Sequence, residues 1–235
     1  MRRDVFAKIG DSITESASFL GDVGHGWHDL AAYPSLEPTV TFFHRTVVDG
    51  DGNDSFAHAS EAAVSGWTVQ DALEPPSPDA LERELRAVRP GIAMIMFGTN
   101  DIDRSTPDAY RSGLGRVVAR CLERGVIPVV STIPMRLDRA DAGQRVPVMN
   151  AIVRDTARAQ TIPLIDLHAA LRDLPRHGLG DDGIHPSAYQ HDGDVRAGTF
   201  TDDALRHGYN VRNLVTLQTL DALRRIVFDQ EQPAA

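Results

Sequence analysis

Ser12 stands in the run Gly10-Asp11-Ser12-Ile13-Thr14, directly after a short apolar stretch at residues 5–9. A serine placed where a strand ends and a helix begins lies at the rim of a sheet. Its hydroxyl is exposed there, and its N–H sits at the positive end of the helix dipole. That arrangement suits a nucleophile whose product is an oxyanion. Serine is also a preferred helix N-cap, which is the plainer reading of the same residue, so the rest of the chain has to decide. Three further segments fall at the ends of predicted strands or helices, where open α/β sheets bind their ligands. Ser65-Gly66-Trp67-Thr68 precedes a predicted helix at 69–73, and Gly66 there either opens its N–H to a ligand or simply makes a turn. Gly98-Thr99-Asn100-Asp101 follows the most continuous apolar run, and Asn100 either offers an amide donor or forms a polar turn, with Asp101 bracing the loop. Asp182-Gly183-Ile184-His185-Pro186 places a carboxylate and an imidazole three residues apart. Across a turn, such a carboxylate holds one ring nitrogen and leaves the other free as a base.

In this order the four segments resemble the SGNH hydrolases, also called the GDSL esterase/lipase family. The family has a GDS serine near the N-terminus, a glycine block, a GxND block and a DxxH block. The resemblance spans nearly the whole chain. It implies that Ser12 is the nucleophile, His185 the general base and Asp182 its orienting partner. The oxyanion hole would comprise the Ser12 N–H, the Gly66 N–H and the Asn100 side chain. It also implies a flavodoxin-like three-layer α/β/α fold with a central parallel sheet, and neither metal nor cofactor. The chemistry is coherent: a serine hydroxyl needs an adjacent base to attack, and preorganised donors stabilise the charge that forms on the carbonyl oxygen. The chain departs from the pattern after His185, where about twenty residues separate Tyr189 from Tyr209-Asn210 and the last predicted helix. Asp181 is a neighbouring carboxylate, and the i to i+3 spacing favours Asp182 over it.

Positioning these residues requires alternating elements. Apolar runs predict strands at 5–9, 40–48, 92–97, 126–130 and 162–165. Helices are expected from Ser77-Pro78 through Leu81, Leu85 and Val88, from Thr106-Pro107 to Gly125, at 148–159 with Val148, Met149, Ile152 and Val153 on one face, and at 210–228 with Val211, Leu214 and Val215. Such alternation implies a parallel sheet covered on both faces. The expectation is one domain over 1–235, with a loop-rich insertion at about 178–207 that contains a short helix and is longer than a connection needs.

With 235 residues, 42% hydrophobic and 24% charged, the chain has the make-up of a globular domain with a sizeable core. A net charge of −9 and the lack of a basic run argue against nucleic acid as a partner. No apolar run approaches the roughly 20 residues that span a bilayer. The single cysteine, Cys121, excludes an internal disulfide and leaves the compartment open. No secretory signal is present; a leader removed upstream of the first strand would make the protein secreted or periplasmic. The oligomeric state is open.

Among nine histidines, His25 and His28 form the tightest pair, short of the three or four ligands of a zinc site. Asp49-Gly50-Asp51-Gly52-Asn53-Asp54 begins like a calcium loop, but Asp54 stands where glycine is needed and Ser60 where glutamate is needed, so it reads as a polar turn. Trp27 and Trp67 are either a binding wall for an acyl group or sugar, or packing residues. The expected function is a serine esterase acting on a small ester with a short acyl group such as acetyl, carried on a carbohydrate among other alcohols. A silent acyl-glycan-binding module and an acyltransferase with the same acyl-enzyme are the alternatives. Labelling by a fluorophosphonate separates the first from the esterase, and product analysis with added alcohols separates the second.

Overall fold

The computed structural model describes residues 1–74 and 79–229. Its centre is a parallel four-stranded sheet in the order β1 (Arg2–Gly10), β2 (Pro90–Met96), β3 (Ile127–Ser131) and β4 (Leu164–Ile165). Every residue of β2 is buried, as a strand covered on both faces requires. Helices cover both sides of the sheet. Helices α6 (Pro107–Glu123) and α7 (Ala140–Gln160) pack on each other and on β3. Helix α9 (Gly208–Leu223) packs on α3 (Glu37–His44), α8 (Leu167–Leu171) and β4. The short helices α1 (Ser12–Glu15), α2 (Gly21–Gly24) and α5 (Asp101–Arg104) lie in the loops beyond the strands, and α4 (Ala80–Val88) packs on β1.

The strand expected at 40–48 is a helix over most of its length. Thr39, Val40 and Phe43 are all buried, and their i, i+1, i+4 spacing marks one helical face. Pro38 sits in the first turn, and the Thr39 hydroxyl donates to Asp221 at 2.7 Å. The β-branched residues favour a strand locally, but burial at helical spacing overrides that preference. The fifth sheet position is instead filled by a single parallel bridge between Ala63 and Gly10, with Gly10 N–H donating to Ala62 O and Val64 N–H to Gly10 O. The chain therefore leaves β1 on one side for 62–64 and on the other for β2. That reversal creates a crevice at the carboxyl end of β1.

The helix expected from Ser77-Pro78 is present as α4, capped by the Asp79 side chain accepting from Glu82 N–H; Ser77-Pro78 itself lies outside the described residues. Thr106 caps α6 as expected. Helix α7 begins two turns before the predicted start, because Gly143 and Pro147 interrupt the sequence signal. Val148 is exposed, while Met149, Ile152 and Val153 are buried. The helix expected at 69–73 is only a 3-10 turn, Asp71–Leu73. The 178–207 stretch holds the short helix expected there, a 3-10 turn Ala204–Arg206, and also a small antiparallel hairpin, β5 (Gln190–His191) with β6 (Asp194–Val195). No helix among the described residues is long and apolar enough to cross a membrane.

Candidate active site

The loops that leave the carboxyl ends of three adjacent chain segments meet in this crevice. Ser12 follows β1, Gly66 follows the 62–64 bridge, and Asn100 follows β2. Gly10 cannot be replaced at the end of β1, since a Cβ there would lie 2.5 Å from Met96 O and 2.4 Å from Thr14 Oγ1. The chain then turns into α1, whose N-cap is Asp11, not Ser12. The Asp11 carboxylate accepts from Ile13 N–H at 3.0 Å. Ser12 is thus released from capping, and its hydroxyl lies 2.9 Å from His185 Nε2.

His185 is held from behind. Its Nδ1 is 2.6 Å from Asp182 Oδ2, and the other oxygen of Asp182 accepts the N–H groups of Ile184 and His185 at 2.9 and 3.0 Å. A carboxylate only accepts, so Nδ1 carries the ring proton and Nε2 presents a lone pair to the Ser12 hydroxyl. Burial opposes the charge on Asp182, but the Ile184 N–H, the His185 ring and the His185 N–H outweigh it and hold the carboxyl below its ordinary value. Asp181 is exposed, and the carboxylate hydrogen bonds and ion pair to His185 among the described residues come from Asp182. Gly183 allows the turn: its φ is +69°, and a Cβ would lie 2.8 Å from Asp138 N.

On the opposite side, Gly66 is exposed with φ +80° and open space where a Cβ would be. Neither its N–H nor that of Ser12 donates to a described residue. The Asn100 amide donates one hydrogen to Trp67 O at 2.9 Å, leaving the other for a ligand. Arg104 holds Gly66 O at 2.6 Å, and Glu15 accepts Ser65 N–H at 2.8 Å, fixing the loop to α5 and α1. Asp101 braces it from below, accepting Val69 N–H at 3.2 Å and the Ser105 hydroxyl at 3.1 Å. Such a cradle of two backbone N–H groups and an amide can receive the oxygen of a tetrahedral intermediate beside Ser12.

Two buried arginines that carry no sequence signal support this frame. Arg212 on α9 donates to Ile13 O at 2.5 Å and to Thr14 Oγ1 at 2.9 Å, and its guanidinium lies 3.6 Å from the Phe19 ring centroid. Tyr209 adds a hydroxyl donor to Ile13 O at 3.2 Å. Together they satisfy the helix-end carbonyl of a four-residue helix that cannot hold itself. Arg136 donates to Thr99 O and pairs with Asp138, both at 2.7 Å, so it links the Asn100 loop to the segment against Gly183.

His25 and His28 do not converge. His25 Nδ1 donates to Gly21 O at 2.7 Å and its ring stacks on Trp27, whereas His28 faces Glu37 at 3.6 Å. Asp49 is used up as a turn carboxylate by Asp51 N–H, Asn53 and His58. Trp67 packs against the core, and Trp27 is 59% exposed.

The model of the GDSL-like lipase/acylhydrolase family matches residues 9–192. The chain belongs to this family of carboxylic ester hydrolases. No similar sequence was found among curated proteins. Among solved structures, a lipase/acylhydrolase from Enterococcus faecalis is 19% identical, with 94% of this chain and 96% of that one covered and a TM-score of 0.60. An acetyl xylan esterase from Geobacillus stearothermophilus is also 19% identical, with 92% and 93% covered and a TM-score of 0.59. A GDSL-like lipase from Bacteroides thetaiotaomicron is 15% identical, with 93% and 88% covered and a TM-score of 0.56. At these identities the structural likeness establishes a shared fold. In this GDSL hydrolase the family match stops short of α9, so Arg212 and Tyr209 lie outside it.

The buried carboxyls under the site predict a pH-dependent stability. Burial pushes Asp11 up to about 6, against the Ile13 N–H and the field of Arg212, and pushes Asp101 up to about 6, against the Val69 N–H and the Ser105 hydroxyl. Between about pH 4 and 6 these two groups therefore hold more protons in the folded chain than in the unfolded one, and their contribution to stability falls as pH rises through that window. Two pKa units correspond to about 3 kcal/mol for each group. Asp101→Asn is expected to flatten the dependence of the urea midpoint on pH between 4 and 6; an unchanged slope would contradict the assignment.

Proposed function

We propose that this GDSL hydrolase is a serine esterase for small esters with short acyl groups, working through an acyl-enzyme on Ser12. His185 Nε2 accepts the Ser12 proton as the hydroxyl oxygen attacks the ester carbonyl. Asp182 keeps the ring in the required tautomer and stabilises the imidazolium. The Ser12 and Gly66 N–H groups and the Asn100 amide receive the oxyanion. His185 then gives its proton to the departing alcohol and draws one from water for deacylation. The observation that carries this reading is the unbroken relay from Ser12 Oγ through His185 to Asp182. The short acyl group is supported by the acetyl xylan esterases among the structural neighbours.

Purified protein is expected to turn over nitrophenyl acetate and butyrate, with kcat/KM falling along a longer acyl series. No turnover of either ester sinks the reading. A fluorophosphonate should label Ser12, which a silent binding module would not permit.

A further inference from the structure

We propose that the cleft between Trp27 and the 190–195 hairpin is a sugar subsite that binds a neutral ring of a glycan. The proposal rests on the esterase reading for the ester that Ser12 cleaves, and on the cleft's own residues for the sugar. The cleft has a volume of about 670 Å³ and is lined by Trp27, His28, Asp29, Asp194, Val195, Arg196 and Thr199. Trp27 is its platform. One face of the indole stacks on the His25 ring at 4.8 Å and 20°, His25 is itself pinned to Gly21 O, and 59% of Trp27 stays exposed. An indole fixed in this way presents a flat apolar surface with little entropy left to lose on binding. The C–H face of a sugar ring matches such a surface.

The rest of the lining suits the hydroxyl edge of the same ring. Asp29 uses Oδ1 on Ala31 N–H, while the Arg196 guanidinium is oriented by Asp194 at 2.7 Å. Thr199 adds a hydroxyl, so the lining offers both acceptors and donors beside the platform. An extended acyl chain finds only Val195 beside the indole. An anionic ligand meets two carboxylates and an arginine that is already paired. A neutral, polyhydroxylated ring satisfies both the flat face and the polar walls.

The cleft has a fixed width, and its walls are tied through hydrogen bonds and chain continuity to the segments that carry Ser12 and His185. Asp29 N–H donates to Gly198 O at 3.1 Å, Phe200 N–H to Asp29 O at 2.8 Å and Gly198 N–H to Asp22 at 3.0 Å, stitching the two walls together. Gly198 permits that approach, since a Cβ would lie 2.8 Å from Asp22 Cβ. Asn213 donates to Ser18 O and to Ala197 O, tying the segment after Ser12 to the end of the hairpin. The hairpin follows Pro186–Tyr189, the residues directly after His185, and the Tyr189 ring stacks on His191. The 178–207 stretch thus builds one wall of the cleft.

The test has a binding arm and a catalytic arm. Xylohexaose, cellohexaose and mannohexaose are titrated into the Ser12→Ala protein by calorimetry, and then into Ser12→Ala proteins that also carry Trp27→Ala or Trp27→Phe. At least one hexasaccharide is expected to bind, with affinity at least tenfold weaker for Trp27→Ala and largely retained for Trp27→Phe. In the Ser12 protein, Trp27→Ala is expected to lower the ratio of kcat/KM for acetylated xylo-oligosaccharide to that for nitrophenyl acetate at least tenfold, chiefly through KM. Absence of binding by all three hexasaccharides, or equal affinity with and without Trp27, overturns the subsite. Failure to hydrolyse nitrophenyl acetate removes the esterase reading instead and leaves the binding arm decisive for the subsite.

Discussion

Ser12→Ala and His185→Ala are each expected to bring kcat/KM for nitrophenyl acetate to near background, and the double variant to lose little more. The reason is that the 2.9 Å contact makes the two side chains one functional unit: a hydroxyl without its base and a base without its hydroxyl are equally idle. The third member separates geometry from mere proximity. Asp182→Asn keeps an oxygen for the Ile184 and His185 N–H groups, so the loop should hold its shape. Its amide NH₂, however, favours the ring tautomer with the proton on Nε2, which has no lone pair for Ser12. The corresponding change in a serine protease costs about 10⁴ in kcat. A loss of about 10² or more is expected here, because the partly exposed loop leaves room for Asp181 to swing toward the ring. Asp181→Asn alone should do little, since Asp182 already occupies Nδ1. Circular dichroism and steady-state kinetics on the five variants check the set. Full activity in Asp182→Asn with collapse in Asp181→Asn would falsify the placement of the carboxylate.

What the sequence made legible were the groups whose identity is fixed by chemistry. Gly10, Asp11, Ser12 and Asn100 stand out because few residue types serve at those places and because their segments follow apolar runs, whereas Gly66, Asp182 and His185 stand out by residue type and spacing alone. The apolar runs themselves were legible where burial is two-sided, as in β2. They misled at 40–48, where Thr39, Val40 and Thr41 carry strand propensity but Phe43 and Asp221 decide in favour of a helix. The partner of β1 at 62–64 was invisible, because a one-residue bridge has no periodicity to read. Arg136 and Arg212 were invisible for another reason. Each acts by donating to backbone carbonyls of a segment distant in sequence, and a carbonyl is the same in every residue. Their role follows from the fold alone. The cap of α1 lay between the two kinds: either Asp11 or Ser12 is a good N-cap by type, and only the Ile13 N–H shows which one is used.

Asn100→Ala is expected to lower kcat by about 10² to 10³ while changing KM little, the size seen when one oxyanion donor is removed. The amide has two hydrogens. One is held by Trp67 O at 2.9 Å, which fixes the plane of the side chain and so aims the other. An interaction realised only when the carbonyl oxygen acquires charge appears in kcat and leaves ground-state binding alone. The competing explanation is that alanine merely frees the Gly66 loop. That loop is held independently by Arg104 on Gly66 O, by Glu15 on Ser65 N–H and by Asp101 on Val69 N–H. Losing one amide hydrogen bond from this set should cost only about 1 kcal/mol of stability. The urea midpoint of Asn100→Ala should therefore move slightly while kcat collapses. Arg104→Met is the contrast, because it releases Gly66 O and leaves Asn100 in place. It should raise KM and lower kcat together by loosening the loop. If Asn100→Ala instead raises KM at constant kcat, Asn100 binds the ground state. If Arg104→Met reproduces the kcat loss of Asn100→Ala at unchanged KM, the effect belongs to loop order, and the amide is not a donor to the oxyanion.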